Sequence, residues 1–306
     1  MKIAVVGSRG TLGTAVMSRW NSEKIAKYSP NSAPDTLVGL DLPEFNVADR
    51  RFTLSTLAEI RPDVILNVSG IHFIDWAESH PNTVRTVHVQ GAANLRDAAA
   101  RTGAILVQIG CAEVFSPLEN NNSTQTRPWR EEDDASTESV FARTKLDAER
   151  AASESERHLI VRASTLFGEL GEQSAGNIAD TILKSSRRTR ELRVINDIRV
   201  SPTWTLDFLR GLRFLIHSNV TGRYHLANQG SATLFEFAEF LLKSCGLKNH
   251  AVIGISSAEY GCLAPRSKNT ALDTERYHSL GGYPMPDWQA AVREFVEDRQ
   301  VGTSCS

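Results

Sequence analysis

Cysteine is scarce in this 306-residue chain: Cys111, Cys245, Cys262 and Cys305 are all there is. They lack the close pairing of a metal site and the density of a disulfide framework. Reduced thiols, a cytoplasmic setting and no bound metal are the expectation. Long apolar runs are missing too. None approaches the ~18–20 residues that cross a bilayer. No cationic, apolar leader precedes the first strand, so neither secretion nor a membrane anchor is expected. Charge of one sign is not in excess, because 34 Lys+Arg meet 36 Asp+Glu for a net −2. That balance offers no electrostatic footprint for nucleic acid or an anionic membrane. There is no internal repeat, and the one low-complexity stretch, Glu119–Thr126, reads as a solvated loop.

What the chain does have is length enough for a large core in one or two domains. It opens on Lys2-Ile3-Ala4-Val5-Val6, a β-branched apolar run that reads as a buried parallel strand. Gly7-Ser8-Arg9-Gly10-Thr11-Leu12-Gly13 follows, and a helix from Thr11 to about Trp20 follows that. Strand, glycine loop and helix in this order suit a dinucleotide: glycines let the backbone approach a pyrophosphate, and the helix aims its first amides at the anion. A second strand, Thr36–Leu40, ends in Asp41. Asp41 can accept from an adenosine ribose 2′-hydroxyl, which favours NAD. Arg9 can pair with a 2′-phosphate, which favours NADP. The two signals conflict, and the choice between NAD and NADP stays open.

Strands and helices continue to alternate. Val64–Val68, Ile105–Ile109 and Leu159–Arg162 read as strands. Helices are expected over Leu54–Ile60, Thr83–Thr102 and Ser139–Ser153. The pattern predicts an α/β fold, a Rossmann-type doubly wound parallel sheet, with ligands beyond the carboxyl ends of the strands. Those ends carry Gly7, Asp41, Val68-Ser69-Gly70, Gly110-Cys111 and Arg162. After residue 165 regularity falls, and helices are expected over Asn177–Ser186 and Leu234–Ser244. The division expected is a dinucleotide-binding domain over 1–165 and a smaller C-terminal substrate-binding lid over 166–306, with segments returning to the first domain.

Several motifs carry a resemblance. Phe141-Ala142-Arg143-Thr144-Lys145 resembles the Tyr-x-x-x-Lys helix of short-chain dehydrogenases/reductases, and G-x-x-G-x-x-G is the glycine spacing of their extended branch. Asn67 to Glu78, Val107 to Phe115, Arg193 to Thr203, Gly222 to Ala227 and Arg266 to Asp273 resemble, in order, segments of the dTDP-4-dehydrorhamnose reductase family. The resemblance implies NAD(P)H-dependent reduction of a nucleotide-linked 4-keto-6-deoxy sugar, and it leaves room for a homodimer. It also implies site residues. Lys145 would hold the nicotinamide ribose. Asn46 and Val47 resemble the segment that closes over adenine. Asn177, Asp197, Pro202 and Thr203 match positions that shape the sugar-nucleotide site.

The departures cluster where the chemistry should be. The catalytic tyrosine falls on Phe141, and the active-site Ser/Thr on Cys111. Flanking positions fall on Gly110, Ala112 and Glu113, and a glutamine beside the substrate falls on Ile198. Phenylalanine has no proton to give. Glu113 or Cys111 could substitute as acid, the former only in an apolar setting that raises its pKa. His72 and His88 also lie near strand ends. The alternative reading is a protein that binds NAD(P) without turnover, as a sensor or regulatory subunit, like the regulatory subunit of methionine adenosyltransferase.

Overall fold

The computed structural model describes residues 1–30, 33–115, 127–168, 176–247 and 249–303. Its frame is a six-stranded sheet. β1 (Lys2–Val6), β2 (Thr36–Leu40), β3 (Val64–Asn67), β4 (Ile105–Cys111) and β5 (His158–Ala163) all lie within residues 1–163. The strand Gly222–His225 comes from the second half and pairs with β5. In space the order is Gly222–His225, β5, β4, β3, β1, β2, and every pairing is parallel. This is the doubly wound α/β sheet that the alternation predicts.

Strands covered by helices on both faces need apolar side chains at successive positions. Ile3, Val5, Leu66 and Val107 pack into one layer, and Ala4, Val6, Ile65 and Leu106 into the other. The first helix, α1 (Thr11–Arg19), buries Leu12, Ala15 and Val16. The second half adds a small parallel pair, Glu191–Ile195 with Ala251–Ile255, flanked by the helices Ile178–Ser186 and Leu234–Ser244.

Two helices differ from expectation. The one expected over Leu54–Ile60 begins at Arg50, because Asp49 accepts from Phe52 N–H and caps it. The single helix expected over Thr83–Thr102 is three pieces: Pro81–Arg85, a π-helical turn Thr86–Gln90, and Gly91–Thr102. The wider turn carries His88, which is buried and bonded on both ring nitrogens. Such turns inside helices often mark functional sites. The stretch Glu119–Thr126 lies outside the described residues.

Candidate active site

Chain order reverses between β1 and β3, and the loops after those two strands meet there. Gly7 has φ +90°, and a Cβ on it would stand 2.6 Å from Ser69 Cα. A Cβ on Gly13 would stand 2.0 Å from Gly7 O, so this glycine lets α1 sit against the loop. Gly10 is different. It has φ −71°, open to any residue, and a Cβ there would meet only Gly7 O at an ordinary 3.5 Å. The fold does not need glycine at position 10. Bare backbone in front of a helix N-terminus suits a pyrophosphate. Thr11 and Leu12 begin that helix, with Leu12 buried beneath it.

Asp41 and Arg9 are close neighbours. Asp41 Oδ2 accepts from Arg9 N–H at 2.7 Å, and Oδ1 from Leu42 N–H at 2.8 Å. The Arg9 guanidinium turns away to Leu42 O and to Glu44, at 2.8 Å from the latter. Asn46 is exposed and closes a turn by accepting from Ala48 N–H at 3.0 Å. Val47 is buried, and Asn94 Nδ2 donates to its carbonyl at 2.9 Å. On the β3 side, Asn67 Oδ1 accepts from Ser69 N–H and Oγ–H, and Val68 N–H donates to Val6 O.

The helix Val140–Ser153 starts with Ser139 accepting from Ala142 N–H, while Glu78 accepts from Val140 N–H. It sets Lys145 one turn after Phe141. Lys145 Nζ donates to Ile109 O at 2.8 Å and lies 4.0 Å from where a Gly70 Cβ would be. Burial pushes its pKa down, while Cys111 and Glu149 act to raise it. Phe141 is 8% exposed and packs with Ala77, Val84 and Cys111. Burial pushes the Cys111 thiol up to about 12. Thr144 Oγ–H donates to Phe141 O, so its oxygen accepts from His88 Nδ1–H at 2.9 Å. His88 Nε2 then accepts from Ile71 N–H at 3.0 Å. Burial and the Lys145 charge hold His88 at about 3. This histidine is a neutral brace with no spare nitrogen. His72 leans on Phe73, and burial lowers its pKa.

Gly110 has a local cause. Its register partner across β5 is Arg162, which forms a fully buried ion pair with Glu149. A Cβ at position 110 would stand 2.2 Å from Glu149 Oε1. A serine there has no room beside this ion pair, and the carboxylate cannot leave without stranding a buried guanidinium.

Glu113 lies on the one-turn helix Ala112–Val114 that follows β4. Burial pushes its carboxyl up to about 7, against the pull of Arg266 and a hydrogen bond from Ser267 N–H. Arg266 donates to Asp75 at 2.9 Å and lines a cavity of about 420 Å³. Ile182, Leu192, Leu234, Tyr260, Cys262 and Arg193 also line it.

None of the four residues matched to the sugar-nucleotide site lines this cavity. Asn177 caps the helix Ile178–Ser186 and donates to Gly168 O. Asp197 bonds Lys268 and Ser257. Pro202 and Thr203 are buried, and Thr203 Oγ1 bonds Ser201 O and Asn228 N–H. The cavity cations Arg193 and Arg266 sit inside segments whose resemblance is plain in the sequence, but no sequence rule assigned them a role. Among the described residues, no three His, Cys, Asp or Glu gather as a metal site. No helix of the described residues is long and apolar enough to cross a membrane.

A family model described as the RmlD substrate binding domain matches residues 1–301. The chain belongs to this family. Among its relatives is the spore coat polysaccharide biosynthesis protein SpsK of Bacillus subtilis, 27% identical over 97% of this chain and 98% of that protein. The dTDP-4-dehydrorhamnose reductase of Sinorhizobium fredii is 26% identical over 97% of each chain. Among solved structures, the dTDP-4-dehydrorhamnose reductase of Bacillus anthracis, in complex with NADP, superposes with a TM-score of 0.86. That match has 24% identity and covers 97% of this chain and 99% of the other. As a member of this family, the chain has dTDP-4-dehydrorhamnose reductase-type character.

Proposed function

We propose that this protein binds NAD(P)H across the Gly7–Gly13 loop and reduces a keto group on a nucleotide-linked sugar of the dTDP-4-keto-6-deoxy kind. The observation that carries this reading is the bare space in front of Gly10, which the fold itself does not require. A reduced nicotinamide, when bound, supplies hydride. The chain's own residues do the rest. Gly10 and the first amides of α1 receive the pyrophosphate. Lys145 stands beside Gly70 to hold the ribose. The apolar wall of the lid cavity takes the base, and Arg193 and Arg266 balance the sugar nucleotide's diphosphate.

A second reading is a dinucleotide-binding sensor or regulatory subunit without turnover. It is favoured by the Phe141 ring, which is sealed among apolar side chains and offers no hydroxyl. NAD(P)H oxidation against a panel of 4-keto sugar nucleotides separates the two. Turnover of any panel member supports the first reading. Tight dinucleotide binding by calorimetry, with no oxidation, supports the second. In either case dTDP should raise the melting temperature, since a ligand held only by the folded state stabilises it.

A further inference from the structure

The loop after β3 reaches the Lys145 pocket with little structure of its own. β3 ends at Asn67, and the next helix begins at Ile74. Asn67 Oδ1 secures Ser69. Past that point the loop is tied to a side chain from another element: Ile71 N–H donates to His88 Nε2 at 3.0 Å. His88 is buried and sits on the π turn Thr86–Gln90.

This bond fixes the tautomer. Nε2 accepts, so the ring proton of the neutral imidazole is on Nδ1. Nδ1–H donates to Thr144 Oγ at 2.9 Å, and Thr144 Oγ–H donates to Phe141 O at 2.9 Å. The bonds run in one direction and join three elements: the loop 69–71, the π turn and the helix that carries Lys145. The imidazole also meets the Phe141 ring edge-on, with centroids 5.8 Å apart. It lies directly against Gly70, where a Cβ would stand 3.2 Å from His88 Nε2 and 4.0 Å from Lys145 Nζ. Glycine backbone, imidazole and ammonium therefore converge on one point. Lys145 gives one donor to Ile109 O and has two left to offer a ligand. Burial and the Lys145 charge keep His88 neutral, so its acceptor lone pair persists.

We propose that His88 is a positioning residue for the nicotinamide half of the dinucleotide. Through Ile71 N–H it holds the loop 69–71 at the spacing from Lys145 that a ribose between them requires. This rests on the dinucleotide reading above. A ribose diol accepts from an ammonium and donates to backbone carbonyls, so its binding depends on how the two are spaced. The imidazole acts through the loop and not on the cofactor. The adenine half belongs to the Gly7–Gly13 loop, where the neighbouring Ser69 is secured by Asn67 and not by His88.

The test uses the full chain and two variants. The amide of asparagine reaches about as far as Nδ1, and that of glutamine about as far as Nε2. His88→Asn therefore keeps a donor for Thr144 and leaves Ile71 N–H without an acceptor. His88→Gln keeps the acceptor for Ile71 and gives up the Thr144 bond. Calorimetry compares ADP, which fills only the adenine half, with NADH and NADPH. His88→Asn should bind ADP as the wild type does and should bind NADH and NADPH roughly tenfold more weakly. His88→Gln should recover most of that loss. Amide exchange on the free proteins should find Ile71 protected in the wild type and in His88→Gln, and open in His88→Asn. Wild-type affinity for NADH and NADPH in His88→Asn overturns the proposal. So does an equal loss of ADP and of the full dinucleotides, the mark of a general structural defect. A His88→Gln protein no better than His88→Asn, or equal Ile71 exchange in all three proteins, overturns it too. Failure of the dinucleotide reading looks different: the wild type binds none of the three ligands while the exchange pattern stands, and the positioning role falls with that reading.

Discussion

At the scale of single residues, the glycines separate fold from ligand. Gly13 is held by Gly7 O, so Gly13→Ala forces backbone apart and should lower the melting temperature sharply. Gly10→Val meets no such obstacle and should fold normally, yet its side chain fills the space kept for a pyrophosphate. The expected outcome is a wild-type melting temperature with no measurable affinity for NADH or NADPH by calorimetry. Retained binding would show that the dinucleotide lies elsewhere. Cofactor choice belongs to the same loop. Asp41 spends both oxygens on backbone amides, and Arg9 is drawn to Glu44. A 2′-phosphate would meet both signs of charge. Discrimination between NADH and NADPH should stay under about tenfold, or ~1.4 kcal/mol. Glu44→Ala should tilt the balance toward NADPH by releasing Arg9 without disturbing the Asp41 turn. A wild-type preference above about a hundredfold, or ~2.8 kcal/mol, would mean that one of the two groups is silent.

At the scale of elements, the strands and the first loop were legible because their signals are local. The apolar run Lys2–Val6 and the glycines that follow need no distant partner to declare themselves. The π turn Thr86–Gln90 was not legible, since it answers to Ile71 and Thr144, which are remote from it in sequence. The cavity lined by Arg193 and Arg266 was hidden for the same reason: its walls run from Ile178 to Arg266. Glu113 was visible as a carboxylate, but its raised pKa comes from burial that no local pattern encodes. The π turn has a thermodynamic signature. Burial holds His88 and His225 at about 3, well below the ordinary histidine value near 6.5. A lowered histidine pKa means that the unfolded chain binds protons which the folded chain refuses. The stability these groups contribute is whole above about pH 6.5 and is lost as pH falls toward 3. Denaturant midpoints should drop across that window. His88→Asn should flatten part of the slope, and a slope unchanged in that variant would mean His88 is charged in the fold.

At the scale of the whole molecule, the second half is built into the first. The strand Gly222–His225 completes the main sheet on β5. The helix Thr205–His217 sends Arg213 and His217 to Asp35, just before β2. Trp20, at the end of α1, donates to the same carboxylate at 2.8 Å. Burial alone would raise the Asp35 carboxyl. Hydrogen bonds from His217, the Met1 amino group and Trp20, with the Arg213 charge, hold it well below the usual carboxylate range. A lowered carboxylate pKa contributes stability that is present above the unfolded value near 3.8 and is lost as pH falls below it. Removing the charge strands a fully buried guanidinium, a loss of roughly 3–5 kcal/mol when one partner of such a pair is deleted. Asp35→Asn should therefore cost stability of that order. It should also separate events that are joined in the wild type. With the clasp intact, calorimetry should show one unfolding transition, because the sheet cannot keep its outer strand after the second half has gone. With Asp35→Asn, the helix Thr205–His217 should gain amide exchange ahead of β1 and β4. Equal exchange in all three elements would mean that the Gly222–His225 pairing, and not the Asp35 clasp, joins the two halves.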